Sequence, residues 1–404
     1  MKRLAALSGF GTLVALLLCC AAAAPGAQAL GFGPNHEYAI GDNPYSIAVG
    51  DFNGDGKRDL ATADYNDNTA SVLLGYGGGG FAARTDFATG SSPDAVAVGD
   101  FNGDGKQDLA TANWSASTAS VLLGDGGGGF AAKTDFTIGG APHSIVVADF
   151  NGDGKQDLAT ANRDSNTASV LLGDGSGGFG AKTDFATGDA HSIAVGDFNS
   201  DGKQDLATCN WNASTASVLL GDGSGGFAAR TDLATGVDPR SVAVGDFNGD
   251  GKRDLVVTNW TDNTVGVMLG DGSGGFATMV AFPTGAGPIS IVVGDFNGDG
   301  KQDLATANQG GYTASVLLNT TNPRITSLMP TRGRAGATVT ITGWGFGALR
   351  GTGKVYFGGK AVTKYVSWSK GKIKVRVPMV AKGWRAVRVT TKDGRSNAKY
   401  FRVA

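Results

Sequence analysis

Six nearly identical runs, each reading DFNGDGK then Arg or Gln then Asp-Leu, put oxygen-bearing side chains at fixed spacing. They begin at Asp51, Asp100, Asp149, Asp197, Asp246 and Asp295, a period of 48 or 49 residues, and Ser200 replaces a glycine in the fourth. Positions 1, 3, 5 and 9 of each run carry Asp or Asn, position 6 is Gly, and position 7 is a Lys that offers only its backbone carbonyl. A hard cation seeking about 6–8 oxygens fits this order, which follows the opening positions of a twelve-residue calcium loop; the bidentate twelfth-position Glu is missing, and the ninth-position Asp stands in for it. The expected ligands are Asp51, Asn53, Asp55, Lys57 and Asp59; Asp100, Asn102, Asp104, Lys106 and Asp108; Asp149, Asn151, Asp153, Lys155 and Asp157; Asp197, Asn199, Asp201, Lys203 and Asp205; Asp246, Asn248, Asp250, Lys252 and Asp254; and Asp295, Asn297, Asp299, Lys301 and Asp303. Up to six Ca2+ ions follow. The plainer alternative is a polar hairpin in which Asp and Asn cap their own turns. Such a turn has no need of three carboxylates within nine residues, six times over.

The rest of the chain sets where these loops operate. Lys2 and Arg3, an apolar run to Ala24 and the small-residue site Ala27-Gln28-Ala29 read as an export signal over residues 1–29. No later stretch has the roughly 18 apolar residues of a membrane helix, so the expected product is exported, without a transmembrane segment. Cys19 and Cys20 leave with the signal, and only Cys209 remains, at a position where other repeats carry Ala63, Ala112, Ala161 and Ala307. No intrachain disulfide follows, and a small buried side chain is the expected role. The formal net charge of −2 hides a division: residues 30–321 hold 35 acidic and 14 basic groups, residues 322–404 one acidic and 18 basic. Two domains are implied.

The elements that position the loops recur with them. In the second repeat, Asp94–Phe101 alternates, Asp108–Asn113 follows the loop, Ala119–Gly126 comes next, and a Gly-rich turn leads into Phe130–Gly139. These are four short strands rich in Val, Thr, Ile and Phe, and no segment has helical periodicity long enough to compete. Four strands per unit at a period in the forties indicate an all-β fold, a β-propeller.

The loop, the Gly79-Gly80-Phe81 turn and the TG turns resemble the FG-GAP or VCBS repeat of integrin α subunits and many secreted bacterial proteins, over residues 31–319. That resemblance implies a six-bladed propeller spanning residues 30–321, with the calcium loop joining the first and second strands and the SIAVGDF-type strand innermost. The sixth unit ends at Leu318 without a fourth strand, while Phe32–Gly41 matches a fourth strand and stands alone before the first unit. Residues 32–41 are therefore expected to close the last blade and remove its open edge. Residues 322–404 resemble an IPT/TIG domain, an immunoglobulin-like β-sandwich, with Pro330, Gly333, Gly336, Gly343, Phe346, Pro378 and Gly394 at its turns.

Antiparallel connectivity puts the calcium loops on one face and the second-to-third and fourth-to-first connections on the other. On this far face one position reads Tyr65, Trp114, Arg163, Trp211, Trp260 and Gln309, and another reads Tyr45, Asp94, His143, His191, Arg240 and Ile289. Variation in otherwise uniform repeats, in residue types that recognition surfaces use, marks Tyr45, Tyr65, Trp114, His143, Arg163, His191, Trp211, Arg240 and Trp260 as candidate ligand-binding residues. The competing role for the Trp residues is as silent wedges between blades. Catalysis has less support: Glu37 is the only Glu, and no Ser-His-Asp or Cys-His order occurs.

The expected function is non-enzymatic: a secreted, calcium-binding adhesion or binding protein taking a glycan or extracellular protein on the far face. The alternatives are a carbohydrate-active enzyme and a passive surface or matrix component. An anionic polymer is the candidate partner of the basic C-terminal domain; nucleic acid does not fit the export signal.

Overall fold

A computed structural model describes residues 36–347, 349–392 and 394–404. The expected export signal over residues 1–29 and Phe32–Asn35 of the expected closing strand lie outside the described residues. Among those described there is no helix, and none long and apolar enough to cross a membrane.

The repeat becomes six small antiparallel sheets. Blade 1 consists of Pro44–Gly50, Asp59–Asp64, Thr69–Leu73 and Thr85–Ala88, each strand paired to the next in sequence. Blades 2 to 5 repeat this order from Pro93, Pro142, Ala190 and Pro239. The sixth has three strands, Pro288–Gly294, Asp303–Asn308 and Thr313–Leu317. The cation-type loop joins first and second strands in every blade.

Apolar cores form between blades. Phe52, Ala61 and Val72 of blade 1 cluster with Val96, Leu109 and Leu122 of blade 2, and the same pattern links each blade to the next as far as blade 6. A second layer is aromatic. Phe130, from the Gly-rich turn of blade 2, meets Phe52 at 5.6 Å and Phe87 at 5.1 Å edge to face, and Phe179 and Phe227 repeat this in the next two blades. Burying a side chain of this size is worth about 1.5–3 kcal/mol, so the repeats are held as a series of neighbours.

That series is not closed among the described residues. No core cluster joins blade 6 to blade 1, and the faces that would meet are exposed: Ile47 at 62% and Val292 at 56%, against 7% for Val96, which occupies the Ile47 position in blade 2. Of the expected closing strand, His36–Gly41 forms no strand, and among the described residues the sixth sheet has three strands. Part of the expected register does hold. Tyr38 meets Phe81 edge to face at 5.3 Å, as Phe87 meets Phe130, and the Tyr65 amide bonds the Asn43 carbonyl as that of Trp114 bonds Ser92. The segment follows the repeat against blade 1 without pairing to blade 6.

After Pro323 the chain forms a two-sheet sandwich. One sheet runs Arg324–Met329, Thr338–Trp344, Lys372–Arg376 and Tyr365–Trp368; the other contains Lys354–Phe357, Gly383–Thr391 and Lys399–Val403. Alternation in TVTIT, KIKVR and KYFRV puts Val339, Ile341, Ile373, Val375, Phe401 and Val403 in one core with Phe346 and Phe357.

Candidate ligand face and cation loops

Each loop is held by its own carboxylates. Asp51 accepts the Asp55 amide at 3.1 Å and the Gly56 amide at 2.9 Å, Asn53 accepts the Asp55 amide at 3.1 Å, and Asp55 accepts the Lys57 amide at 2.9 Å. Gly56 has φ of +78°, the left-handed turn that its position demands. The Lys57 ammonium lies 3.0 Å from Asp55 and, with the Lys57 amide, holds that carboxyl below the usual range. Asp59 is fully buried, accepting the Phe52 amide on one oxygen and the Gly75 amide on the other, both at 2.7 Å. The other five ninth-position aspartates do the same, tying the loop to the end of the third strand. Burial pushes the carboxyls of Asp108, Asp157, Asp205, Asp254 and Asp303 up, and the loop's other carboxylates add to the rise.

The donor set is all oxygen and crowds negative charge, which fits a hard cation. The side chains as placed are those of self-capped turns: among the described residues no three His, Cys, Asp or Glu side chains meet as a metal-holding group. The ninth-position Asp has a structural duty, to the amides of two strands, that its position in the motif did not disclose.

The opposite face gathers the variable residues into one belt. Tyr45 lies 5.0 Å from Tyr65, and Tyr65 lies 6.3 Å from Trp114. The Arg163 guanidinium is 5.8 Å from the rings of both Trp114 and Trp211. Arg240 sits 4.0 Å over Trp211 and 5.6 Å from Trp260. Separations under about 6 Å are within cation–π range. All nine candidate residues therefore belong to one array across blades 1 to 5. The Trp residues are half-buried.

Two histidines line the inner edge. His143 and His191 stack at 4.5 Å. His191 Nδ1 donates to the Arg240 carbonyl at 3.0 Å, and burial, helped by His143 and Arg240, pulls its pKa down to about 3. It is neutral at ordinary pH. His143 Nδ1 donates to Asp94 at 2.6 Å, while its Nε2 is buried without a partner, as are Trp114 Nε1 and Arg240 Nε. Asp94 and Asp238 are site residues that the sequence reading did not single out. Asp238 accepts the Trp211 indole N–H at 3.0 Å and a bond from Thr261. Asp94 shares the repeat position of His143, and that shared position was the available signal. Cys209 is buried, its thiol pushed up to about 12, consistent with the packing role expected of it.

The basic sandwich meets the loop face. The Trp344 indole N–H donates to the Gly249 carbonyl at 2.6 Å, the Gly347 amide to the Asp299 carbonyl at 3.3 Å, and the Lys370 ammonium reaches Asp295 at 2.7 Å. Among the described residues these contacts fall on the loop face and not on the aromatic belt.

Comparison with known proteins agrees with this architecture. The FG-GAP-like repeat matches five times, at residues 51–111, 100–160, 149–208, 197–257 and 246–306, and the IPT/TIG domain matches 323–403. Cyclomaltodextrin glucanotransferase of Paenibacillus macerans is 45% identical over 82 residues, which are 20% of this chain and 11% of that enzyme. The enzyme of the same name from Niallia circulans is 46% identical over 80 residues, again 11% of its length. Among solved structures, a Bacteroides uniformis protein provisionally assigned as a 6-phosphogluconolactonase superposes with TM-score 0.55 at 17% identity, over 69% of this chain and 82% of that one. A Lactobacillus plantarum protein gives 0.53 at 16%, over 85% and 87%. At such identities the likeness is one of fold.

Proposed function

The chain belongs to the FG-GAP-like repeat family and ends in an IPT/TIG domain, and on that premise we propose a secreted, calcium-binding, non-enzymatic binding or adhesion protein. Its ligand, a glycan or an extracellular protein, sits on the face opposite the loops. The observation that carries this is the unbroken run of Tyr, Trp and Arg side chains from Tyr45 to Trp260. Partly exposed aromatic rings flanked by guanidinium groups offer apolar and cationic surface on which a sugar or a protein can pack.

In this reading the loops would each hold a calcium ion through Asp51, Asn53, Asp55, the Lys57 carbonyl and Asp59 and their repeats. The ion would offset the crowded carboxylates and stiffen the face on which the sandwich rests. Binding to glycan and matrix-protein arrays, with millimolar calcium and with chelator, tests the proposal. Binding in calcium, lost in chelator together with a fall in melting temperature, is the expected outcome. A melting temperature unmoved by chelator excludes the metal role, and silent arrays exclude the binding role.

The Asp94–His143 pair favours one second reading, a carbohydrate-active enzyme, because an oriented imidazole with an unpartnered Nε2 is the form of a general base. Turnover of an array-positive glycan that disappears in His143→Gln would establish it.

A further inference from the structure

We infer that the outer face of the sandwich sheet built from Lys354–Phe357, Gly383–Thr391 and Lys399–Val403 is a second binding surface, and that its ligand is a carboxylated polysaccharide. The inference rests on the proposed reading of this chain as a secreted binding protein, takes the glycan as its ligand class, and concerns a site separate from the propeller belt.

The face follows from strand register. Val355, Phe357, Val387, Val389, Phe401 and Val403 point into the core, so Tyr356, Trp384, Ala386, Arg388, Tyr400 and Arg402 point away from it. Trp384 pairs with Arg402, Ala386 with Tyr400, and Tyr356 with Arg388. Trp384 and Tyr400 are therefore diagonal neighbours on one surface, about 7–8 Å apart at the backbone, with small Ala386 beside both. Trp384 is 60% exposed and Tyr400 61%. Single exposed apolar residues are ordinary, but two adjacent aromatic rings on a flat strand face form a platform for a pyranose ring.

Charge selects the kind of sugar. Arg332 lies directly across from Arg402 on the adjoining short strand, and like charges placed opposite one another destabilise a sheet. Neither arginine has an ion pair with a carboxylate among the described residues, and the whole domain has one acidic residue against 18 basic. A ligand carboxylate would bridge the two guanidiniums, whose planar forks suit it. The propeller does not occupy this face: its contacts reach Trp344, Gly347 and Lys370. A polymer with a carboxylate on each sugar satisfies both features at once. The rings lie on Trp384 and Tyr400, and the acid groups lie on Arg332 and Arg402.

The test uses the full chain and a linear oligomer of four uronic acid residues, too short to gel with calcium, titrated with tryptophan fluorescence and calorimetry as readouts. Expected are binding that weakens as salt rises from 50 to 500 mM, and at least a tenfold loss in Trp384→Ala and in Arg332→Gln/Arg402→Gln, with unchanged circular dichroism. Trp114→Ala, on the propeller belt, should bind the oligomer like the parent. Loss in Trp114→Ala alone moves the acidic sugar to the belt and overturns the inference while leaving the proposed function standing. Equal binding of the methyl-esterified oligomer removes the carboxylate from recognition, and equal binding of an oligonucleotide of matching charge removes the sugar. Either result also overturns the inference, as does the absence of binding.

Discussion

Asp157 shows how much one side chain does in each repeat. It is fully buried, and its two oxygens accept the amides of Phe150 and Gly173, each at 2.8 Å. Leaving a buried amide unsatisfied costs about 1–3 kcal/mol, so Asp157→Ala should lose roughly 2–6 kcal/mol of stability. Denaturant unfolding in chelator isolates this from any metal effect, and an unchanged midpoint there would refute the assigned duty. His191 gives a pH dependence. Its folded pKa, about 3, lies below the ordinary 6.5, so its contribution is complete above pH 6.5 and is lost as pH falls toward 3. At about 1.4 kcal/mol per pH unit, up to about 2 kcal/mol has gone by pH 5. Stability curves of parent and His191→Gln should converge in slope above pH 7 and diverge below 6; parallel curves would mean that the ring is not held neutral. The sequence disclosed the oxygen positions of the loop because they are local. The second function of the ninth-position Asp was hidden, because its partner amide, Gly173 for Asp157, comes 16 residues later through strand register.

At the level of elements, strand order and the repeat boundary were legible from alternation and Gly turns, and the structure keeps both. The closing strand lies partly outside the described residues. Phe32–Gly41 matches the fourth-strand pattern, and Tyr38 takes the expected place against Phe81, but pairing with the last blade is a contact between distant parts of the chain that no local pattern specifies. Among the described residues Thr313–Leu317 is an edge strand, beside an apolar groove of about 280 Å³ lined by Phe247, Val267, Leu269, Phe282, Leu304 and Leu318. In blades 1 to 4 the matching space beside Leu74, Leu123, Leu172 and Leu220 is covered by the next blade's Gly-rich turn. An uncovered edge of this kind favours self-association. Val316→Lys/Leu318→Lys should lower the apparent mass in sedimentation at high concentration while leaving the melting temperature within a few degrees, because Val316 and Leu318 are already exposed. Unchanged sedimentation would mean that the edge is covered in solution.

Across the whole molecule, opposite charges meet where the domains touch: Lys370 pairs with Asp295, and Trp344 seats on Gly249, on the loop-bearing side of blades 5 and 6. This leaves the aromatic belt open, the face that binds in the proposed function. Its most direct test is the variant Trp114→Ala/Trp211→Ala/Trp260→Ala on the array that detects the parent. These residues are half-buried, so the variant should fold, with parent-like circular dichroism and a melting temperature lowered by no more than several degrees. Its array binding should fall at least a hundredfold. A folded triple variant that binds like the parent would contradict the account, and one that fails to fold would assign the three rings to packing between blades.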